Sequence, residues 1–215
     1  MQILSTNIAQ PTTIQWRGQD IQTGIYKHEV ENPIYLGSED VENDHVIDRR
    51  YHGGEEKACY LYSADHYPFW KQKYPQLKWE WGMFGENLTV SGLNESEIHI
   101  GDSFQIGEAI IQVTQPRQPC FKLGVRFGTQ KVVNEFWDSS FPGVYVRILQ
   151  AGQVTKGDQL TLIESNPESL SIEQVFSLFG KNTKDIESLT KAIADPFLAQ
   201  SCRKDLQKIL ESSEL

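Results

Sequence analysis

Short strands broken by close turns, followed by a stretch of helical periodicity, predict a mainly β domain of barrel or sandwich type with a small helical appendage. The run Glu97–Gln115 (EIHIGDSFQIGEAIIQVTQ) reads as strand, Gly-Asp turn, strand, Gly-Glu turn, strand. Ile98, Phe104 and Ile106 around Gly101-Asp102 recur as Val154, Leu160 and Leu162 around Gly157-Asp158, so alternate residues share one buried face. Beyond ESNPESL (164–170) the apolar spacing becomes helical.

Each element has its own cue. Lys57–Ser63 (KACYLYS) is rich in residues that favour strands, and ENLTVSG (86–92) is a short strand ended by glycine. One helix is expected between them, in SADHYPFWKQKYP (63–75), with Ser63 as its N-cap. In the tail, Ser171 and Gln174 form a capping box ahead of Ile172, Val175, Phe176 and Phe179. Ile186, Leu189 and Ile193 mark a second helix. A third is predicted with Asp195 as N-cap, Pro196 at its first position, and Leu198, Cys202, Leu206 and Leu210 on one face. Helices this short are unstable alone, so they are expected to pack as a unit, dividing the chain into residues 1–165 and 166–215.

The 215 residues, 39% hydrophobic and 23% charged, suit a globular protein, and the net charge of −9 argues against a nucleic-acid partner. No segment approaches the roughly 18 apolar residues of a membrane span, and the N-terminus lacks a secretory pattern, so the expected setting is the cytoplasm. Three widely spaced cysteines fit neither a disulfide framework nor a zinc site.

Cys202 lies on a helical stripe and Cys59 in a strand, both as core packing. Cys120 differs. It sits in QPRQPCFKLG (115–124), outside any periodic segment, on a loop shaped by two prolines. Cations such as Arg117 and Lys122 favour a thiolate, the form that acts as nucleophile or metal ligand; the alternative is a turn cysteine among surface charges. In RRYHGGEEK (49–57), Gly53 and Gly54 after His52 permit close backbone approach, and Lys57 adds a cation for an anion; taken alone, the segment reads first as a Gly-Gly hairpin turn with solvated charges. In GMFGENLTV (82–90), Asn87 either presents its amide to a ligand or closes a turn, and Glu86 reads as solvated. Trp70, Trp79 and Trp81 read as core or pocket wall, and His28, His45, His66 and His99 show no ligand spacing.

Together, YHGGEEKACYLYSADHYPFW, GMFGENLTV, QPRQPCFKLGVRF and GVYVRILQAGQVTKGDQL, in this order between Gly24 and Leu162, resemble MOSC-domain proteins of the YiiM-like type. The helical tail resembles the small C-terminal helical domain of that subgroup. Where many relatives carry Gly-Asp ahead of the His-Gly-Gly segment, this chain has Asn43-Asp44. The resemblance implies a closed MOSC-type β-barrel binding a molybdopterin-type molybdenum cofactor, with Cys120 matching the family's proposed molybdenum or sulfur ligand. It also implies reduction of N-hydroxylated bases or related compounds. On that reading the cofactor's phosphate falls to Arg117, Lys122, Arg147 or the segment His52, Gly53, Gly54 and Lys57, and Asn87 orients substrate or pterin. No iron–sulfur, flavin or nicotinamide fingerprint is present, so electrons are expected from a separate flavoprotein or small redox protein. The rival expectation is a non-catalytic carrier of the cofactor or of cysteine-bound sulfur.

Overall fold

A computed structural model describes residues 1–45, 47, 53–180 and 185–213. Alternating patterns build the strands β1 (Gln2–Ala9), β2 (Thr12–Trp16), β3 (Gln19–Thr23), β4 (Lys27–Glu29), β5 (Ile34–Leu36) and β6 (Cys59–Ser63). They continue as β7 (Leu88–Ser91), β8 (Ser103–Ile106), β9 (Ala109–Pro116), β10 (Val144–Gln150), β11 (Gly152–Val154) and β12 (Leu160–Glu164). Eight of these form one sheet in the order β12-β8-β9-β10-β6-β7-β1-β4, antiparallel except where β6 meets β7. Pairs β11-β5 and β2-β3 stand apart. Arg17 and Gly18, with φ of 50° and 77°, turn the β2-β3 hairpin.

The closed, mainly β barrel expected from the sequence is not what forms. The large sheet is open, with β12 and β4 at its edges, and helices make the fold mixed α/β. The reason lies in β1. Residues 7–9 of β1 are taken by β4, which leaves only Met1–Ile3 to meet residues 157–160. Three backbone bonds and a single bridge, Gln2 with Gln159, form there instead of a ladder. A strand expected at Ile98–Ile100 is also absent: its backbone bonds go to Leu170 and Ile172.

Six α-helices lie among the described residues: α1 (Tyr67–Lys73), α2 (Phe121–Arg126), α3 (Lys131–Trp137), α4 (Ile172–Ser177), α5 (Ile186–Ala194) and α6 (Gln200–Ser213). Ser63 caps a 3-10 turn that leads into α1, and the Ser171–Gln174 capping box starts α4. Asp195 does not cap the last helix. Its carboxylate takes the Phe197 amide at 2.8 Å, while Arg203 binds the carbonyls of Ile193, Asp195 and Leu198, so a turn forms and α6 begins at Gln200. None of the described helices is long and apolar enough to cross a membrane.

Two apolar clusters follow. One joins the inner sheet face (Ile3, Leu61, Val113, Val146) to the tail (Ile172, Val175, Leu198, Leu206) without a break. The other is aromatic, with Tyr62, Trp70, Phe84, Phe127 and Phe136 packed between α1, α2 and α3. Trp70 donates to the Tyr62 hydroxyl at 2.7 Å, while Trp79 and Trp81 pack on this cluster.

Candidate functional site

The site grows from the alternation of β6 and β10. Cys59, Leu61, Val144 and Val146 point into the inner core, which sends Tyr60 and Tyr145 to the opposite face. Their ring centres lie 5.1 Å apart and both rings line one cleft. Phe84 and Ile25 continue the apolar wall.

One side of the cleft is cationic. Strand β9 ends at Pro116, the chain passes Arg117, and Cys120 stands immediately before α2. Arg117 is 5% exposed, its guanidinium 5.5 Å from the Tyr60 ring centre and 5.0 Å from that of Phe136. Its Nη1 is buried and has no hydrogen-bond partner among the described residues. An orphan charged donor is costly, and such a group at a cleft wall points to an anionic ligand. The free thiol of Cys120 and the side chain of Lys122, both half-buried, line the same cleft. Lys57 joins them after Gly53 and Gly54, whose φ values of 75° and 81° favour glycine. Burial lowers the Lys57 ammonium from its ordinary value, against the opposing pull of Glu56, Cys202 and Asp205.

The other side is a closed polar network. Asp44 accepts from the Ala9 amide at 2.8 Å, from Asn87 Nδ2 at 3.0 Å, and from Lys27 Nζ. Both charges of the Lys27–Asp44 pair are nearly buried, at 7% and 2% side-chain exposure. Arg126 of α2 donates to the carbonyls of Ile25 and Lys27 and so fixes that segment beside the helix of Cys120. Asn43 has φ of 62°, so the turn before Asp44 keeps the left-handed geometry that a glycine would supply. Asn87 uses both ends of its amide: Oδ1 takes the Tyr60 amide at 3.2 Å, and Nδ2 serves Asp44 and the Asn7 carbonyl. Glu86, expected in solvent, is fully buried. It accepts from the amides of Gly82 and Phe84, the Thr89 hydroxyl and the Tyr67 hydroxyl, and so shapes the loop that presents Phe84, Gly85 and Asn87.

Cys120, Asn87, Gly53, Lys57, Arg117 and Lys122 therefore converge on one cleft. Gly54 flanks it, and His52 lies outside the described residues. Arg147 is elsewhere, donating to the Phe197 carbonyl at 3.0 Å and facing Glu56 at 3.5 Å. Sequence reasoning missed Lys27, Asp44, His45, Tyr60 and Tyr145 in the cleft. The strand KACYLYS carried a usable signal for Tyr60, since alternation already separates it from Cys59 and Leu61. Among the described residues, no group of three His, Cys, Asp or Glu side chains is placed to hold a metal.

The eight-stranded sheet has one parallel pair and carries a cleft in which a lone cysteine stands among cations. Residues 48–161 match the MOSC domain, and the chain belongs to that family. The YflK protein of Bacillus subtilis is 35% identical over 206 residues, covering 96% of this chain and 93% of its own. The crystal structure of YiiM from Geobacillus stearothermophilus superposes with a TM-score of 0.82 at 31% identity, over 97% of this chain and 98% of that one, which makes this a YiiM-like MOSC protein. A protein named Reductase from Gibberella moniliformis is 32% identical over 150 residues, 68% of this chain but 27% of the fungal protein.

Proposed function

We propose that the cleft holds a molybdopterin-type molybdenum cofactor and that the chain reduces N-hydroxylated bases or related N-hydroxylated compounds with electrons from a separate redox protein. One observation carries the reading: a buried guanidinium with an unpartnered N–H shares a cleft with the free thiol of Cys120. The donor set fits the group. Arg117, Lys122 and Lys57 suit a phosphate, Tyr60, Tyr145 and Phe84 offer flat faces to a pterin, and Cys120 is a soft ligand for molybdenum. When bound, the cofactor supplies two-electron redox chemistry.

The chain's own residues bind and orient. Arg117 meets the anion without rearrangement, because the Tyr60 and Phe136 rings already fix its plane. Cys120 is fixed in position by the start of α2, where the Leu123 amide donates to the Cys120 carbonyl at 3.0 Å. Lys27 and Asp44 give the opposite wall a paired, neutral polar surface suited to an uncharged N–OH group. The reaction is R–NHOH plus two electrons and two protons giving R–NH₂ and water. The name of the fungal relative supports a redox role, and most of that protein lies outside the match.

The test is elemental analysis of protein made in a molybdenum-replete host, followed by reduction of an N-hydroxylated base with a supplied flavoprotein donor. Molybdenum with turnover is the expected result. Bound pterin, or a persulfide on Cys120, without turnover would replace the reductase with a carrier.

A further inference from the structure

The helical tail meets the elements that carry the cleft at Glu56 and at the end of β9. The Glu56 carboxylate accepts the Gln200 amide at the start of α6 at 2.8 Å and faces Arg147 at 3.5 Å. Arg147 in turn donates to the Phe197 carbonyl of the tail. The Glu56 carbonyl accepts the Thr114 hydroxyl at 2.7 Å, and the Thr114 carbonyl takes the Ala199 amide at 3.1 Å. Ser201 adds a bond to the Gln115 side chain at 3.1 Å. Thus α6 grips both the 3-10 turn Glu55–Lys57 and, at Gln115, the last residues of β9, two positions before Arg117. Lys57 is adjacent to Glu56 and lines the cleft, with Cys202 and Asp205 of α6 within electrostatic reach.

We infer that Glu56 is a positioning residue through which the C-terminal helix holds Lys57 and the Arg117 segment in their anion-binding arrangement. The tail then belongs to the construction of the site, although none of its residues lines the cleft. This rests on reading the cleft as an anion site.

Charge and position predict opposite signs at this residue, which makes the inference testable. Removing a negative charge beside a cationic wall raises anion affinity if electrostatics alone matters. Loss of the junction lowers it. The experiment is calorimetric titration of the full chain with inorganic pyrophosphate, using wild type, Glu56→Gln, Glu56→Ala, Arg117→Met and, as a distant control, Glu211→Ala. Glu56→Gln keeps an acceptor for the Gln200 amide and drops the charge, so it binds as well as wild type or better. Glu56→Ala falls about tenfold, roughly one lost hydrogen bond, while circular dichroism and melting show it folded. Glu211→Ala binds as wild type. Equal or tighter binding by Glu56→Ala, with Arg117→Met still defective, overturns the positioning role and leaves the anion site standing. No pyrophosphate binding by wild type overturns both.

Discussion

Replacing Arg117 with methionine separates binding from folding. Methionine nearly fills the volume, so the change removes a charge and its donors with little cavity. Without ligand, two effects oppose each other. Relief of the orphan Nη1 stabilises by about 1–3 kcal/mol, and loss of the stacking on Tyr60 and Phe136 costs about 0.5–2 kcal/mol. They nearly cancel, and for a chain of this size about 1 kcal/mol moves melting by roughly 2–4 °C. The ligand-free variant therefore melts within about 4 °C of wild type. With an anion present, wild type gains a charge-assisted hydrogen bond of about 1.5–3 kcal/mol, or roughly one to two decades of affinity. Differential scanning fluorimetry with and without inorganic pyrophosphate reads both quantities. A ligand-free drop beyond about 8 °C together with an undiminished pyrophosphate shift would refute the argument.

Three further outcomes follow from the same geometry. Alkylation of the native protein with iodoacetamide should modify Cys120 alone: burial pushes the Cys202 thiol up to about 12 and raises Cys59 further, and mass spectrometry of the digest would show this wrong by equal labelling at all three. Cys120→Ser should abolish reduction of an N-hydroxylated substrate and change the metal's absorption spectrum, whereas Cys202→Ser should keep activity and lose about 1–3 kcal/mol in urea unfolding, because it buries a hydroxyl on the α6 stripe. At Glu135, burial pushes the carboxyl up, but the Tyr74 hydroxyl, Lys131 and Lys73 together hold it below its ordinary 4.5. A depressed carboxyl stabilises above its unfolded value and loses that contribution as pH falls through the folded one, so wild type and Glu135→Gln should differ constantly down to about pH 5 and converge below it; a gap unchanged at lower pH would exclude the linkage.

Local chemistry was legible in the sequence and long-range pairing was not. Ser171 and Gln174 cap α4 as read, and Cys202 and Leu206 form the buried stripe of α6 with Leu198 packed in the preceding turn, because those signals span only a few residues. The QPRQPCFKLG stretch, which spans the end of β9, a four-residue link and the start of α2, and the Gly53–Lys57 segment announced themselves by residue types whose reason is chemical, and both reach the cleft. The open sheet was not legible, because closure depends on which edge of β1 is claimed by β4, a contact set by about twenty intervening residues. Lys27 and Asp44 each look like solvated surface in isolation and become a buried pair only once β4 and the 41–45 turn meet. Glu86 failed in part for the same reason: the Tyr67 hydroxyl that it accepts sits on α1, although its other donors, Gly82, Phe84 and Thr89, are close in the chain. The short α2 and α3 carry too few turns for a periodic signature.

In β6 and β10, neighbouring residues answer to different demands. Cys59, Leu61, Val144 and Val146 meet the requirements of folding, while Tyr60 and Tyr145 between them meet those of whatever enters the cleft. Selection can then alter the cleft wall at residues 60 and 145 while the core side of the same strands stays constant. The two strands act as an interleaved record, in which drift at odd and even positions reports two separate histories.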